Sequence, residues 1–167
     1  MPSVTRVAAD DPDVERFGTA LLREMAQRYG GDPDEIARTS PGAEWVLLRD
    51  DDGTPLGCGA VQPLAKSLPG APVDHGEIKR VYIVPTARGR GLARPLMAEL
   101  IALAAELGFT WLQLETGTEQ PEALGLYERS GWRRVPNYGQ YVDDPRSVCF
   151  GLPVRSDLPR TATGRFR

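Results

Sequence analysis

Histidine is nearly absent from this 167-residue chain, occurring once as His75, and cysteine occurs only as Cys58 and Cys149, far apart and with no CxxC spacing. One histidine and two separated thiols do not make a metal-ligand set, so no metal is expected. They suit reduced core cysteines better than a disulfide framework. No Ser or Cys sits in a nucleophile elbow, which with a single histidine disfavours a Ser-His-Asp or Cys-His hydrolase. No apolar run approaches the ~20 residues of a membrane span, and the stretch from Met1 to Asp11 is too polar for a secretory signal. A cytoplasmic protein is expected, with no membrane partner. The chain also lacks a basic field: its net charge of -3 arises from signs mixed along the sequence, so nucleic acid is a poor partner.

What is present is an ordinary globular composition, 41% hydrophobic and 26% charged, in a chain of single-domain length. Ser3 to Ala8 alternates as a first strand. Phe17, Leu21, Met25 and Tyr29 recur every four residues in a helix from Val14 to Tyr29, which Gly30 and Gly31 end. Glu35 to Arg38 reads as a further helical turn. Glu44 to Arg49 and Pro55 to Pro63 flank an Asp-Asp-Gly turn and read as a hairpin. After a loop comes a strand from Gly76 to Val84, and then Leu92, Leu96, Leu100, Leu103 and Leu107 form one apolar stripe on a helix closed by Gly108. A strand at Thr110 to Thr116, a helix at Pro121 to Ser130 and strands at Trp132 to Val135 and Ser147 to Leu152 complete the chain. The order predicts an α/β (α+β) protein with a single mixed sheet flanked by helices, one domain over residues 1–153 and a loose tail over 154–167.

The chemistry concentrates between the strand ending at Val84 and the leucine-striped helix, in Arg88-Gly89-Arg90-Gly91-Leu92-Ala93. Glycines let a backbone approach a ligand closely, helix N-terminal N–H groups point outward, and the helix dipole favours an anion, so a diphosphate can be held there largely by main chain. Arginines add charge-assisted contacts. The plainer reading is a tight turn whose arginines face water. Two other phosphate motifs fit badly: Arg94 stands where a dinucleotide fingerprint needs Gly or Ala, and no Gly-Lys-Ser/Thr exists for a P-loop. Glu115 does mimic the ribose-binding acid of the dinucleotide fold, which keeps a nucleotide-binding oxidoreductase domain as a rival.

Arg88-x-x-Gly91-x-Ala93 resembles the Gln/Arg-x-x-Gly-x-Gly/Ala signature of the Gcn5-related N-acetyltransferases, in the strand-to-helix setting that family uses. Glu77 to Pro85 is similar to the family's fourth strand, and Ala123 to Trp132 to its last helix with a Tyr-x-x-x-Gly-aromatic ending. The resemblance spans roughly Val46 to Leu152. It implies a mostly antiparallel central sheet with splayed fourth and fifth strands, and acetyl-CoA as cosubstrate. It also implies transfer of acetyl to a primary amine within a ternary complex, and dimers as a frequent assembly.

By the same resemblance Val81, Tyr82 and Ile83 line the pantetheine arm, Arg88, Gly89, Arg90, Gly91, Leu92 and Ala93 seat the diphosphate, and a fourth-strand N–H polarises the thioester carbonyl. Pro95 departs from the family pattern and is harmless only if the helix begins near Gly91. Tyr127 occupies the position of the proton donor, its plainer role being a core aromatic. Glu77 and Glu115 each match a carboxylate used as base, and the sequence does not choose, with Glu77 taken first; either could equally be a solvated or ion-paired strand residue beside Lys79 or Arg80. Gln120 stands where relatives carry a cofactor-contacting Asn, or else caps the helix at Pro121. Tyr138 and Tyr141 wall the acceptor pocket or brace a loop. A non-catalytic acyl-CoA-binding module remains the second rival, and a small-molecule amine is preferred to a peptide or protein as acceptor.

Overall fold

The computed structural model describes residues 1–32 and 42–155. The helical turn expected at Glu35 to Arg38 and nearly all of the expected tail lie outside the described residues. In chain order the elements are β1 (Ser3–Val7), α1 (Pro12–Tyr29), β2 (Glu44–Arg49), β3 (Pro55–Pro63), β4 (His75–Ile83), α2 (Ala93–Glu106), β5 (Trp111–Gly117), α3 (Pro121–Arg129), β6 (Arg133–Val135) and β7 (Ser147–Pro153). The strands form one seven-stranded sheet in the order β1-β2-β3-β4-β5-β7-β6. Every neighbouring pair is antiparallel except β4 and β5. The mixed, mostly antiparallel sheet expected from the sequence is therefore present.

Local chemistry sets the boundaries. Asp11 caps α1 by accepting a hydrogen bond from the Asp13 N–H at 2.9 Å, Pro12 sits where a missing N–H costs nothing, and Gly30 ends the helix. The hairpin between β2 and β3 closes through the Gly53 N–H, which donates to the Asp50 carbonyl at 2.9 Å. Pro95 is the third residue of α2, within the first turn, where its lack of an N–H breaks no helical bond.

The sheet is covered on both faces. Leu96, Leu100 and Leu103 of α2 pack with Tyr127 of α3 against Ile78, Leu112, Leu114 and Phe150. On the opposite face Val14 and Phe17 of α1 meet Trp45, Leu47, Ala60 and Tyr82. The leucine stripe is one residue shorter than the spacing implied: Leu107 is the C-cap, lies beyond the last regular turn and is 44% exposed. Both cysteines are buried and free. Among the described residues no helix is long and apolar enough to cross a membrane.

Two irregularities interrupt the regular pairing of β4. Its parallel pairing with β5 holds only for His75↔Trp111, Gly76↔Leu112 and Glu77↔Gln113, after which no further pair forms. Its pairing with β3 slips between Cys58↔Tyr82 and Ala60↔Lys79, so that Arg80 and Val81 together face Gly59. Arg80 adopts a left-handed backbone, φ 58°, the signature of a bulge.

Leu100 is fully buried at the centre of the α2 side of the core. Its truncation to Ala should lower unfolding free energy by about 2–5 kcal/mol, measured by urea denaturation; a loss under 1 kcal/mol would show that α2 does not anchor the sheet.

Candidate active site

Where β4 and β5 part, a cleft of about 570 Å³ opens. Its walls are β4 from Glu77 to Ile83, the end of β5, and residues of α1, α3 and the turn before α2. A concave site of this size with a few polar groups converging on it is the expected form of a small-molecule site.

One end is formed by the turn into α2. Gly89 and Gly91 have φ of 78° and 75°, a left-handed backbone that a side chain would strain. The N-cap of α2 is Leu92, and no side chain caps the helix, which leaves its first N–H groups without a partner inside it. Arg88 is tied to this end from three directions: its Nε donates to the Ile83 carbonyl at 2.9 Å, its guanidinium pairs with Glu24 at 2.7 Å, and it lies over the Tyr82 ring. Glu24 also pairs with Arg28, which pairs with Glu122, so an ionic chain links α1 to α3 along the rim. Gly89, Gly91, Leu92 and Ala93 all line the cleft. Arg90 does not; it turns away to Asp50 on the β2–β3 hairpin.

The β4 residues Val81, Tyr82 and Ile83 line the cleft. Gln120 lines it too, and is the N-cap residue of α3, yet makes no side-chain cap; its amide donates instead to the Tyr29 hydroxyl at 3.4 Å. The same hydroxyl accepts from the Glu119 N–H at 3.1 Å. Tyr29 lies against Gly117, where any Cβ would overlap its hydroxyl.

Farther along β4 the two carboxylates differ in surroundings. Glu77 is 1% exposed and its oxygens are occupied: Gln62 Nε2 donates at 2.9 Å and Ser67 Oγ at 2.6 Å to Oε1, and the Tyr138 hydroxyl at 2.5 Å to Oε2. Glu115 forms no such bond among the described residues, and burial raises its pKa from 4.5 to about 7, against the opposing pull of Lys79. Lys79 feels both; burial lowers its pKa, and both carboxylates oppose that shift.

Tyr127 packs its ring on Trp132 and Phe150, at centroid distances of 5.8 and 5.6 Å. Burial, and secondarily Glu115, push its phenol well above the ordinary value. Among the described residues the hydroxyl has no hydrogen-bond partner and is not sealed in the core, so it opens onto the cleft that the residue lines. The ring is thus a core aromatic and the hydroxyl a site group at once. Tyr141 lines the cleft, whereas Tyr138 stands outside it, bracing Glu77 and stacking edge-on with Tyr141 at 5.5 Å.

Sequence reasoning missed Leu21, Glu24 and Met25 of α1 as cleft residues, and Lys79 and Arg80 as site residues. The four-residue repeat of α1 carried the first signal, since Leu21 and Met25 belong to its apolar stripe. Nothing marked Arg80, because a left-handed residue without glycine, asparagine or aspartate leaves no trace in composition. Among the described residues no cluster of His, Cys, Asp and Glu could hold a metal ion.

Comparison with known proteins adds a family and a fold. The family model described as "Acetyltransferase (GNAT) family" matches residues 9–132. An "IAA acetyltransferase" of Azospirillum brasilense is 32% identical over 163 residues, covering 92% of this chain and all of the relative. The Escherichia coli protein named "Uncharacterized N-acetyltransferase YjgM" is 31% identical over 140 residues, covering 75% of this chain and 78% of the relative. A structure from Klebsiella pneumoniae assigned as an acyl-CoA N-acyltransferase superposes with a TM-score of 0.75 at 29% identity, covering 93% of this chain and 99% of that one. The yncA structure from Salmonella typhimurium, solved with its cofactor acetyl-CoA, shares the fold, with a TM-score of 0.69 at 17% identity over 96% and 98% of the two chains.

The raised pKa of Glu115 has a consequence for stability. The folded protein keeps a proton there that the unfolded chain releases above the usual value of 4.5, so this group's contribution declines as pH rises from 4.5 through about 7. Glu115→Gln should lose less stability than the parent between about pH 5 and pH 8, by roughly 1–3 kcal/mol, in urea titrations at each pH. Parallel stability curves for the two proteins would show that Glu115 ionises as it does in solution.

Proposed function

The chain belongs to the acetyltransferase (GNAT) family, and from that premise we propose that it transfers the acetyl group of acetyl-CoA directly to the primary amine of a small molecule bound beside it. The observation that carries this reading is the cleft between the diverging β4 and β5, which joins the uncapped N-terminus of α2 to Glu115 and Tyr127.

The residues present fit acetyl-CoA. The turn at Gly89 and Gly91 with the first N–H groups of α2 suits a diphosphate, Arg88 is held beside it by Glu24, and the β4 edge facing β5, which forms no ladder pair beyond Glu77 among the described residues, can pair with an extended arm. The cosubstrate supplies an activated thioester, whose carbonyl carbon forms the new C–N bond as its C–S bond breaks. Attack needs a neutral nitrogen, and the proton it sheds goes to a base, directly or through water. Glu115 suits that role better than Glu77: its pKa of about 7 leaves it close to half ionised at neutral pH, and no donor occupies its oxygens, whereas Glu77 already accepts three hydrogen bonds. We assign Glu77 to holding the charge balance around Lys79.

Tyr127 faces the departing sulfur in this reading. Its phenol, raised by burial, stays protonated throughout the working range and is a weaker acid than a thiol. Its contribution is a hydrogen bond to the developing thiolate, the net proton arriving from solvent. The bulge at Arg80 turns the β4 main chain out of register with β3, and a main-chain N–H of this strand is suited to polarise the thioester oxygen, an oxyanion-hole contribution. The mostly antiparallel sheet argues against the nucleotide-binding oxidoreductase reading, which requires parallel strands. A pure binding module has no need of a phenol and an ionisable carboxylate at the parting of the strands.

In assays of thiol release from acetyl-CoA with an amine panel, Tyr127→Phe should lower kcat by about 10²–10³-fold with the cofactor dissociation constant little changed. Unaltered turnover by that variant would remove Tyr127 from the mechanism. The parent kcat/KM should rise through an inflection near pH 7, below that of the acceptor amine itself, and Glu115→Gln should abolish it; persistence of that inflection in the variant would exclude Glu115 as base.

A further inference from the structure

Lys79 is an unusual residue to find in a cleft wall. Even partial burial of an ammonium is costly unless something pairs with it, and Lys79, half-buried, enters no salt bridge among the described residues. Lys79 keeps the regular register of β4, and the bulge sets Arg80 beside it. Ile78 and Val81 both pack toward the α2 side of the sheet, and Lys79 is paired with Ala60, which belongs to the α1 side. Regular alternation would put a single residue between two that share a face. Here Lys79 and Arg80 both intervene, and both line the cleft, so two cationic side chains enter it from adjacent positions.

Neither carboxylate nearby forms an ion pair with Lys79 among the described residues. Glu77 turns its oxygens to the neutral donors Gln62, Ser67 and Tyr138, so its charge acts on Lys79 only at a distance. Glu115 loses its charge whenever it holds the proton taken from an acceptor. Lys79 is also remote from the diphosphate seat, four residues of strand or roughly 13 Å before Ile83. A single ligand phosphate at Gly89 therefore leaves Lys79 for another partner.

We infer that the acceptor is an amine bearing a carboxylate, as in an amino acid, and that Lys79 is the residue that binds this carboxylate. The inference rests on the acetyl-transfer reading of the same cleft. Lys79 and Arg80 would then act twice, drawing in the anionic end and disfavouring the ammonium form of the amine, so that the neutral nucleophile is favoured. Tyr141 and Gln140, on the loop facing β4, supply neutral hydrogen-bonding groups to the remainder of the acceptor.

The test uses the full chain with acetyl-CoA and matched acceptors: amino acids, their carboxamides and their decarboxylated amines, read by thiol release with kcat and KM separated. Acids should exceed their carboxamides in kcat/KM by about tenfold or more, the worth of a charge-assisted hydrogen bond. Lys79→Gln should erase most of that ratio through KM for the acid, and Lys79→Arg should retain it. Because the ratio is taken within each protein, partial misfolding of a variant does not disturb it. Carboxamides or plain amines used as well as acids by the parent would overturn the inference and leave acetyl transfer standing, as would an equal loss on all acceptors in Lys79→Gln. Transfer to no member of the panel would overturn the transferase reading, and this inference with it.

Discussion

The parting of β4 from β5 is the constraint on which the rest of the site depends. β5 is held along its whole length by β7, from Trp111↔Pro153 to Gly117↔Ser147, and β4 is held by β3 on its other side. Between these two firmly paired halves the parallel contact lasts for three residue pairs and stops at Glu77↔Gln113. The bulge at Arg80 bends β4 just beyond that point, so the halves diverge where a regular ladder would continue. Backbone groups exposed along the gap need partners, and an extended ligand can provide them as a short additional strand. Catalytic side chains and cofactor seat are thus arranged around a break in the sheet.

Charge is handled differently at the two ends of the cleft. Near α2 the positive potential comes from main chain, the unpaired N–H groups of a helix start, with Arg88 already balanced by Glu24. Such a seat is built from backbone and so depends little on side-chain identity beyond Gly89 and Gly91. At the inner end the charges are half-buried side chains lining the cleft, where each alters the others. Glu115 is raised by burial while Lys79 restrains the shift, and Tyr127 and Tyr141 are raised by burial and by Glu115 in turn. Proton transfer at one of these groups therefore changes the balance felt by all.

Elements with strong periodicity and marked ends could be read directly. The leucine stripe located α2, and Gly30 marked the end of α1, because these signals are local. Leu107 misled because spacing alone does not show where the last turn ends. The turn at Arg88 to Ala93 was legible as an anion seat, but Arg90 was indistinguishable from Arg88 until Asp50, forty residues away in sequence, was seen to hold it. Glu77 and Glu115 could not be separated for the same reason. What distinguishes them is Gln62, Ser67 and Tyr138, brought to Glu77 by β3, the turn after it and the loop before β7. A residue's type is written in the sequence; its hydrogen-bond partners are written in the topology.

The left-handed backbone of Arg80 couples strand geometry to charge. A non-glycine residue in that conformation costs of order 1 kcal/mol or more and persists only where its surroundings impose it. Here β3 imposes it, by pairing with β4 on both sides of the slip, at Tyr82 and at Lys79. Glycine would adopt the same turn with less strain but would bring no charge into the cleft. Arginine at the bulge sets a second cation beside Lys79 in the same step that redirects the main chain, so one local distortion shapes both the electrostatics of the acceptor end and the strand edge offered to the cosubstrate.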